Sequence, residues 1–250
     1  KISLLLLPSG YLILNGFELN NLGSYEYIGK LELGKLSIIF TILAVLLLIN
    51  AINYLDGTDG LLIGYTIIVL IYFYFLGFKQ NQDFSILLIF IFILLISLIF
   101  NFLKIETGFK SILGDAGSLF IGFFISFIII FLYKYHNIHP GFLIWACWLP
   151  IYDFLYVTFD RLKNKINIYK PDKSHFHHYV LNFFSNSQVK TFVFINIMNI
   201  CVIFSGYLIC LIVGKLFSII SFIISFFIFI KLKLRFKGYL TKKHLIKKLF

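Results

Sequence analysis

Ile86-Leu-Leu-Ile-Phe90-Ile-Phe-Ile-Leu-Leu-Ile-Ser97-Leu-Ile-Phe100 carries one hydroxyl and no charge. Barrel strands alternate apolar and polar residues in short segments, so an unbroken run of this kind reads as a helix crossing a bilayer. A bilayer core needs about 20 mostly apolar residues per helix. Runs of that size recur near 36–54, 61–78, 84–103, 118–134, 141–159, 191–213 and 215–231, with a partial one at 1–14. The expected fold is all-α: a polytopic membrane protein of seven or eight spans, forming one membrane domain over 1–250 with a basic cytoplasmic tail at 231–250. Composition agrees, because 60% of the 250 residues are hydrophobic and only 13% are charged, against roughly a quarter charged in soluble domains. Cys147, Cys201 and Cys210 lie inside apolar runs without metal or disulfide spacing, where cysteine packs as a small hydrophobe.

The net charge of +11 would point to nucleic acid in a soluble protein. In a membrane protein its distribution across the bilayer decides instead. One side receives Lys104, Lys110, Arg161, Lys163, Lys165, Lys170, Lys173, Lys190 and the eight basic residues from Lys231 to Lys248; the other receives Lys30, Lys35, Lys79, Lys134 and Lys215. The positive-inside rule therefore assigns the loops at 55–60, 103–117 and 160–190, and the tail, to the cytoplasm. The tail itself reads as an anchor against anionic lipid. No nucleic-acid-binding module accompanies it.

Four polar clusters depart from this apolar background. The first is Asn50-Ala-Ile-Asn53-Tyr-Leu-Asp56-Gly57-Thr-Asp59-Gly60-Leu61, at the cytoplasmic end of one span and the start of the next. Asn50, Asn53 and Asp56 are spaced to share one helical face, and the two glycines permit a tight turn with positive φ. A plain polar hairpin is the alternative. Each Asp costs about 2.5–3.5 kcal/mol at a bilayer centre, so two amides and two carboxylates within ten residues point to a cation, water or substrate. The second is Gly114-Asp115-Ala116-Gly117-Ser118. Either Asp115 or Ser118 could cap the following helix; alternatively the small neighbours leave the Asp115 carboxylate reachable by Mg²⁺, and the helix N–H groups could hold phosphate. The third is Pro171-Asp172-Lys173-Ser174-His175-Phe176-His177-His178, in the longest cytoplasmic loop. Its histidines read as a zinc site lacking a fourth ligand, as surface residues, or as donors to a pyrophosphate beside Lys170 and Lys173. The fourth is Asp153 in Leu149-Pro150-Ile151-Tyr152-Asp153, too deep in its span to dismiss. His136 and His139 fall in an external loop and receive no function.

These four strings, in this order and on this side of the membrane, resemble the polyprenyl-phosphate N-acetylhexosamine-1-phosphate transferases of glycosyltransferase family 4, which include WecA-like, TagO-like and MraY enzymes. The His-x-His-His form is closer to the WecA and TagO branch. The resemblance implies transfer of a sugar 1-phosphate from a UDP-N-acetylhexosamine to polyprenyl (undecaprenyl) phosphate, with release of UMP, at the cytoplasmic face of the cell membrane, initiating a cell-envelope polysaccharide. It implies Mg²⁺ as cofactor, with Mn²⁺ able to replace it, held by Asp115 and Asp56. Asp56, Asp59 and Asp115 would be catalytic. Asn50, Asn53, Asp153, Lys173, His175, His177 and His178 would contact substrate. A homodimer is compatible with it, and nucleic acid is not a partner.

Two departures stand out. The family's paired aspartates on an earlier cytoplasmic loop have no counterpart, since the first acids are Glu18, Glu26 and Glu32, which fall outside. Residues 1–14 look like the helix following that loop, and the chain opens on Lys1 with no recognisable signal peptide, so an N-terminally incomplete domain is expected. Lys173 also stands where the family commonly has Arg, losing the bidentate fork. The alternatives are a non-catalytic remnant or scaffold that retains UDP-sugar binding and, more weakly, a transporter, which would carry its polar residues near the midplane.

Overall fold

The computed structural model describes residues 2–80, 83–102, 113–167 and 174–249. Because lipid offers the backbone no hydrogen-bond partners, each apolar run closes its own bonds as a helix. The order is α1 (Ile2–Leu14), a hairpin of β1 (Asn21–Tyr25) and β2 (Gly29–Glu32), α2 (Ser37–Asn53), α3 (Leu61–Lys79), α4 (Ser85–Phe102), α5 (Gly114–His136), α6 (Pro140–Leu143), α7 (Trp148–Lys163), α8 (Phe176–Phe183), α9 (Gln188–Ile212) and α10 (Lys215–Leu249). Seven segments among the described residues are long and apolar enough to cross a membrane: Gly34–Asn53, Leu61–Lys79, Ser85–Phe102, Gly114–His136, Pro140–Lys163, Gln188–Ile212 and Lys215–Tyr239. The protein is a multi-pass, all-α membrane protein.

Burial ranks the spans. Of α3, 72% is buried, so it forms the centre of the bundle; of α4 only 11% is, so its apolar surface faces lipid. Tyr65, Leu70 and Phe73 of α3 meet α6, α7 and α9 in one large core, while Leu12 of α1 packs with Val45, Ile49 and Ile130 in a smaller one. The closest crossing joins α2 and α5. A Cβ added at Gly122 would lie 2.8 Å from the Ile49 Cα, so only glycine lets these backbones approach so closely.

Three details differ from the sequence expectation. The span expected as one helix over 141–159 is broken: α6 passes through a 3₁₀ turn, Ile144–Cys147, into α7. Pro150 has no N–H to give the Ala146 carbonyl four residues earlier. The Tyr65 hydroxyl donates to that carbonyl instead, at 2.7 Å, while Tyr72 and Ser218 donate to the carbonyls of Phe142 and Gly141. Such substitution by neighbouring helices makes a break inside lipid tolerable. The second difference is the two-stranded antiparallel hairpin at 21–32, which the apolar pattern did not reveal. His139, given no function above, ties this hairpin down: Nδ1 accepts from Gly141 N at the start of α6, Nε2 donates to Ser24 O at 3.1 Å, and the ring meets Tyr25 edge-on. Finally, the stretch read as a separate tail from 231 continues α10 as helix.

Candidate active site

The polar motifs meet at one end of the bundle. α2 ends at Asn53 because the chain then turns through Tyr54–Gly60 into α3. Asn53 Nδ2 donates to Ser118 Oγ at 2.6 Å, which joins the first motif to the second. Ser118 is tied in turn to the carbonyls of Gly114 and Asp115 in the first turn of α5. The Asn50 amide donates to Leu46 O within its own helix. Both asparagines thus spend one amide N–H internally, which orients the side chain and leaves its carbonyl oxygen and second N–H for a ligand. Asp56, expected on the same helical face, lies one turn past the helix end.

Burial, and next the negative charge of Asp115, push the Asp56 carboxyl above the ordinary carboxylate range. Two acids that raise one another's cost of ionisation favour a cation between them. Among the described residues no three His, Cys, Asp or Glu side chains group as metal ligands. Mg²⁺ needs no such group, since it is bound by one or two carboxylates together with phosphates and water; the pair Asp56 and Asp115 fits it. Asp59 sits on the far side of the turn, its N–H directed at Gln188 Oε1 of α9 at 3.4 Å. Beside the turn, Thr58, Asp59, Leu62, Asn101 and Leu113 line a cavity of about 140 Å³, and the buried Thr58 hydroxyl has no hydrogen-bond partner among the described residues.

The two glycines of the turn do different work. Gly60 takes φ +68°, the left-handed conformation that starts α3. Gly57 has no positive φ; its lack of a side chain makes room, because a Cβ there would lie 2.2 Å from His177 Nε2. That contact brings the histidine motif onto the first motif. His177 is 2% exposed, and neither ring nitrogen has a hydrogen-bond partner among the described residues. Burial, and next the adjacent His178, hold its pKa down to about 3 despite the pull of Asp153. A neutral imidazole kept dry without partners is an expensive arrangement unless a ligand completes it. His175 stacks on Tyr54 at 4.7 Å and lies parallel to His177 at 5.9 Å. Lys173, expected among the substrate contacts, lies outside the described residues, as do Lys170, Pro171 and Asp172.

Asp153 plays a different part from the one expected. It is 2% exposed, and both its oxygens are engaged: Oδ2 accepts from His175 Nδ1 at 2.8 Å, and Oδ1 accepts from Phe176 N at 2.9 Å and from Lys233 Nζ at 2.6 Å. It therefore holds the start of α8 and the orientation of His175. Lys233, on α10, is 0% exposed, with its ammonium 4.2 Å from the centre of the Tyr156 ring. Either ion buried alone would be strongly destabilising, and the pairing, with Phe176 N and the aromatic face, offsets part of the cost of burying both. The sequence reading missed Lys233, which looked like one more positive-inside residue, and Tyr54, an ordinary interfacial tyrosine in a helix-end string.

Comparison with known proteins agrees with this architecture. The model of Glycosyl transferase family 4 matches residues 1–133, which include the first two motifs, and the chain belongs to that family. It is 29% identical over 173 residues to the undecaprenyl-phosphate alpha-N-acetylglucosaminyl 1-phosphate transferase of Yersinia pestis, covering 66% of this chain and 47% of that protein. Identity to the enzyme of the same description from Escherichia coli K12 is 30% over 166 residues, 64% of this chain and 43% of the other. The probable undecaprenyl-phosphate N-acetylglucosaminyl 1-phosphate transferase of Bacillus subtilis 168 is 33% identical over 156 residues, 62% and 43%. The chain spans a little under half the length of these curated relatives.

Proposed function

We propose that this protein transfers N-acetylhexosamine 1-phosphate from a UDP-amino sugar to polyprenyl phosphate, releasing UMP, at the cytoplasmic face of the cell membrane. The observation that carries this reading is the convergence of three motifs far apart in sequence: Asn53 bonds Ser118, and His177 packs against Gly57. The result is one surface with carboxylates on one side and imidazoles on the other, as a transfer between two phosphates requires. An apolar groove of about 480 Å³ runs from Leu19 and Leu22 at the hairpin, between α2, α5 and α6, to Leu47 and Ile151 in the middle of the spans; it does not include the polar site, and it suits the apolar tail of a lipid rather than its phosphate.

In the reaction, a phosphate oxygen of the lipid attacks the phosphorus bearing the sugar, and the bond to UMP breaks as the new one forms. Positioning and charge stabilisation supply most of the catalysis of such a step. Asp115 and Asp56 would hold Mg²⁺, whose contribution when bound is to neutralise phosphate charge. His177 and His178 present ring nitrogens to the diphosphate and His175 presents one to the nucleotide sugar beside it, and His177 gains there the partners that it lacks among the described residues. Asn50, Asn53 and Asp59 accept hydrogen bonds from the nucleotide sugar.

The test is UMP release from UDP-N-acetylglucosamine with undecaprenyl phosphate and Mg²⁺. It should be measured for the 250-residue chain and for the same chain with any in-frame sequence that precedes Lys1. Folded protein that releases no UMP in either form refutes the enzyme reading and leaves a sugar-nucleotide-binding scaffold. Orientation is checked separately: a reporter at Asn137 should score extracytoplasmic and one at Ser185 cytoplasmic, and the reverse would put the site on the wrong side for UDP-sugars.

A further inference from the structure

α10 is the last span and largely faces lipid, with only 17% of its window buried. Lys231, Arg235 and Lys237 on it are exposed, as positive-inside residues should be, yet Lys233 between them is fully buried. A lysine serving only as an anchor would extend its long stem toward water. This one turns inward to Asp153 Oδ1 at 2.6 Å, beneath the ring of Tyr156 at 4.2 Å and near that of Tyr179 at 5.9 Å. On the transferase reading above, we propose that Lys233 is a positioning residue for the reaction: acting through Asp153, it fixes which nitrogen of His175 is offered to the substrate.

The argument follows from donors and acceptors. An ionised carboxylate only accepts. Asp153 accepts from the Lys233 ammonium and the Phe176 amide on one oxygen, so the nitrogen of His175 facing the other oxygen must carry hydrogen. That nitrogen is Nδ1, which leaves Nε2 of the neutral tautomer as an acceptor for an O–H or N–H of the nucleotide sugar. Tyr54, stacked at 4.7 Å on the same ring, keeps it from rotating. Lys233 keeps the carboxylate ionised in a dry site by cancelling its charge. Without that cation, Asp153 takes up a proton from solvent and can donate to Nδ1 in place of accepting from it, so the ring's own hydrogen moves to Nε2 and its orientation is no longer fixed. The carboxylate–histidine arrangement is the one that fixes imidazole tautomers in other catalytic settings. Here its cation comes from a helix that hydropathy alone would assign to anchoring.

The test uses the full chain, with any sequence preceding Lys1, in lipid nanodiscs with ¹⁵N-labelled histidine, reading the His175 nitrogen shifts and UMP release together. The key variant is the double Asp153→Asn/Lys233→Met, which removes both buried charges at once and so leaves no orphaned ion to unfold the protein. In it the asparagine carbonyl keeps Phe176 N and its amide faces Nδ1, so the proton of His175 moves to Nε2. UMP release is expected to fall about tenfold or more while the unfolding temperature stays near that of the parent. Lys233→Met alone should lower release by a similar factor, and Lys233→Arg should recover most of it. An unchanged His175 spectrum and unchanged turnover in the double variant would reduce Lys233–Asp153 to a packing ion pair and overturn the proposal. If the parent releases no UMP, the transferase reading fails, yet the nitrogen shifts still decide whether Lys233 governs His175.

Discussion

Replacing Gly122 by alanine puts one methyl group where α2 and α5 cross. The new Cβ would lie 2.8 Å from Ile49 Cα, 3.2 Å from its oxygen and 3.4 Å from its carbonyl carbon, all backbone atoms that no rotamer change can move. Carbon atoms rest at about 3.5–4.0 Å, so the two helices must part by about 1 Å. Ile49 lies one turn before Asn53, and Gly122 one turn after Ser118, so the same displacement acts on the 2.6 Å bond between them. Stretched by that amount, the bond reaches about 3.6 Å and is lost. Overpacking costs about 1–3 kcal/mol and the lost bond about 0.5–1.5 kcal/mol more. A 1 Å misplacement of catalytic groups costs on the order of 100-fold in rate. Thermal unfolding in detergent, followed by the fluorescence of Trp145 and Trp148, together with UMP release, measures both. Gly10→Ala in α1 is the control, since nothing lies within 4 Å of a Cβ there. If Gly122→Ala unfolds at the temperature of the parent and turns over normally, the close crossing does not set the distance between the Asp56 turn and Asp115.

Three further outcomes are expected. Asp115→Asn should abolish Mg²⁺-dependent UMP release while leaving the unfolding temperature within a few degrees, and near-normal turnover would remove Asp115 from the metal site. Gly57→Ala should push the His177 ring back from the turn, because its Cβ would meet Nε2 at 2.2 Å; a drop on the order of 100-fold is expected, and undiminished activity would show that the two motifs need not touch. His177 gives a pH dependence: its folded pKa of about 3 lies below the ordinary 6.5, so between those values the unfolded chain binds a proton that the folded one refuses. The stability it protects is present above about pH 6.5 and is lost as pH falls toward 3, by roughly 1.4 kcal/mol per pH unit for one proton. His177→Leu should flatten the acid limb of the unfolding curve by that one-proton slope, and an unaltered slope would mean the ring is not held neutral.

The chemistry of the Asp56 turn, Asp115 and His175–His178 was legible because polar residues are costly in an apolar chain and therefore stand out against it. Their assembly was not, because the Asn53–Ser118 bond spans 65 residues and the contact of His177 with Gly57 spans 120, and no local period encodes either. Pro150 could have announced a break in a span that was expected as one helix, but the hydroxyls of Tyr65, Tyr72 and Ser218 that satisfy the freed carbonyls come from other helices. The hairpin at 21–32 lacks the clean alternation of a half-buried strand, and β2 is exposed throughout, so its sequence carried little signal.

The amino-acid sequence by itself determined that long apolar runs form membrane-crossing helices near the observed spans, and it divided the basic residues unequally among the loops between them. Lipid enforces helix on any long apolar run, and charge asymmetry is additive along the chain. The tertiary structure alone decided the roles within the site. Asp153 looked like a ligand contact until its oxygens met His175, Phe176 and Lys233, and Lys233 looked the same as Lys231 and Arg235 until α10 packed with that one position turned inward. Which of several similar charges is buried depends on the rotation of one helix against its neighbours, and that rotation is fixed by packing across the bundle rather than by any residue's own neighbours in the chain.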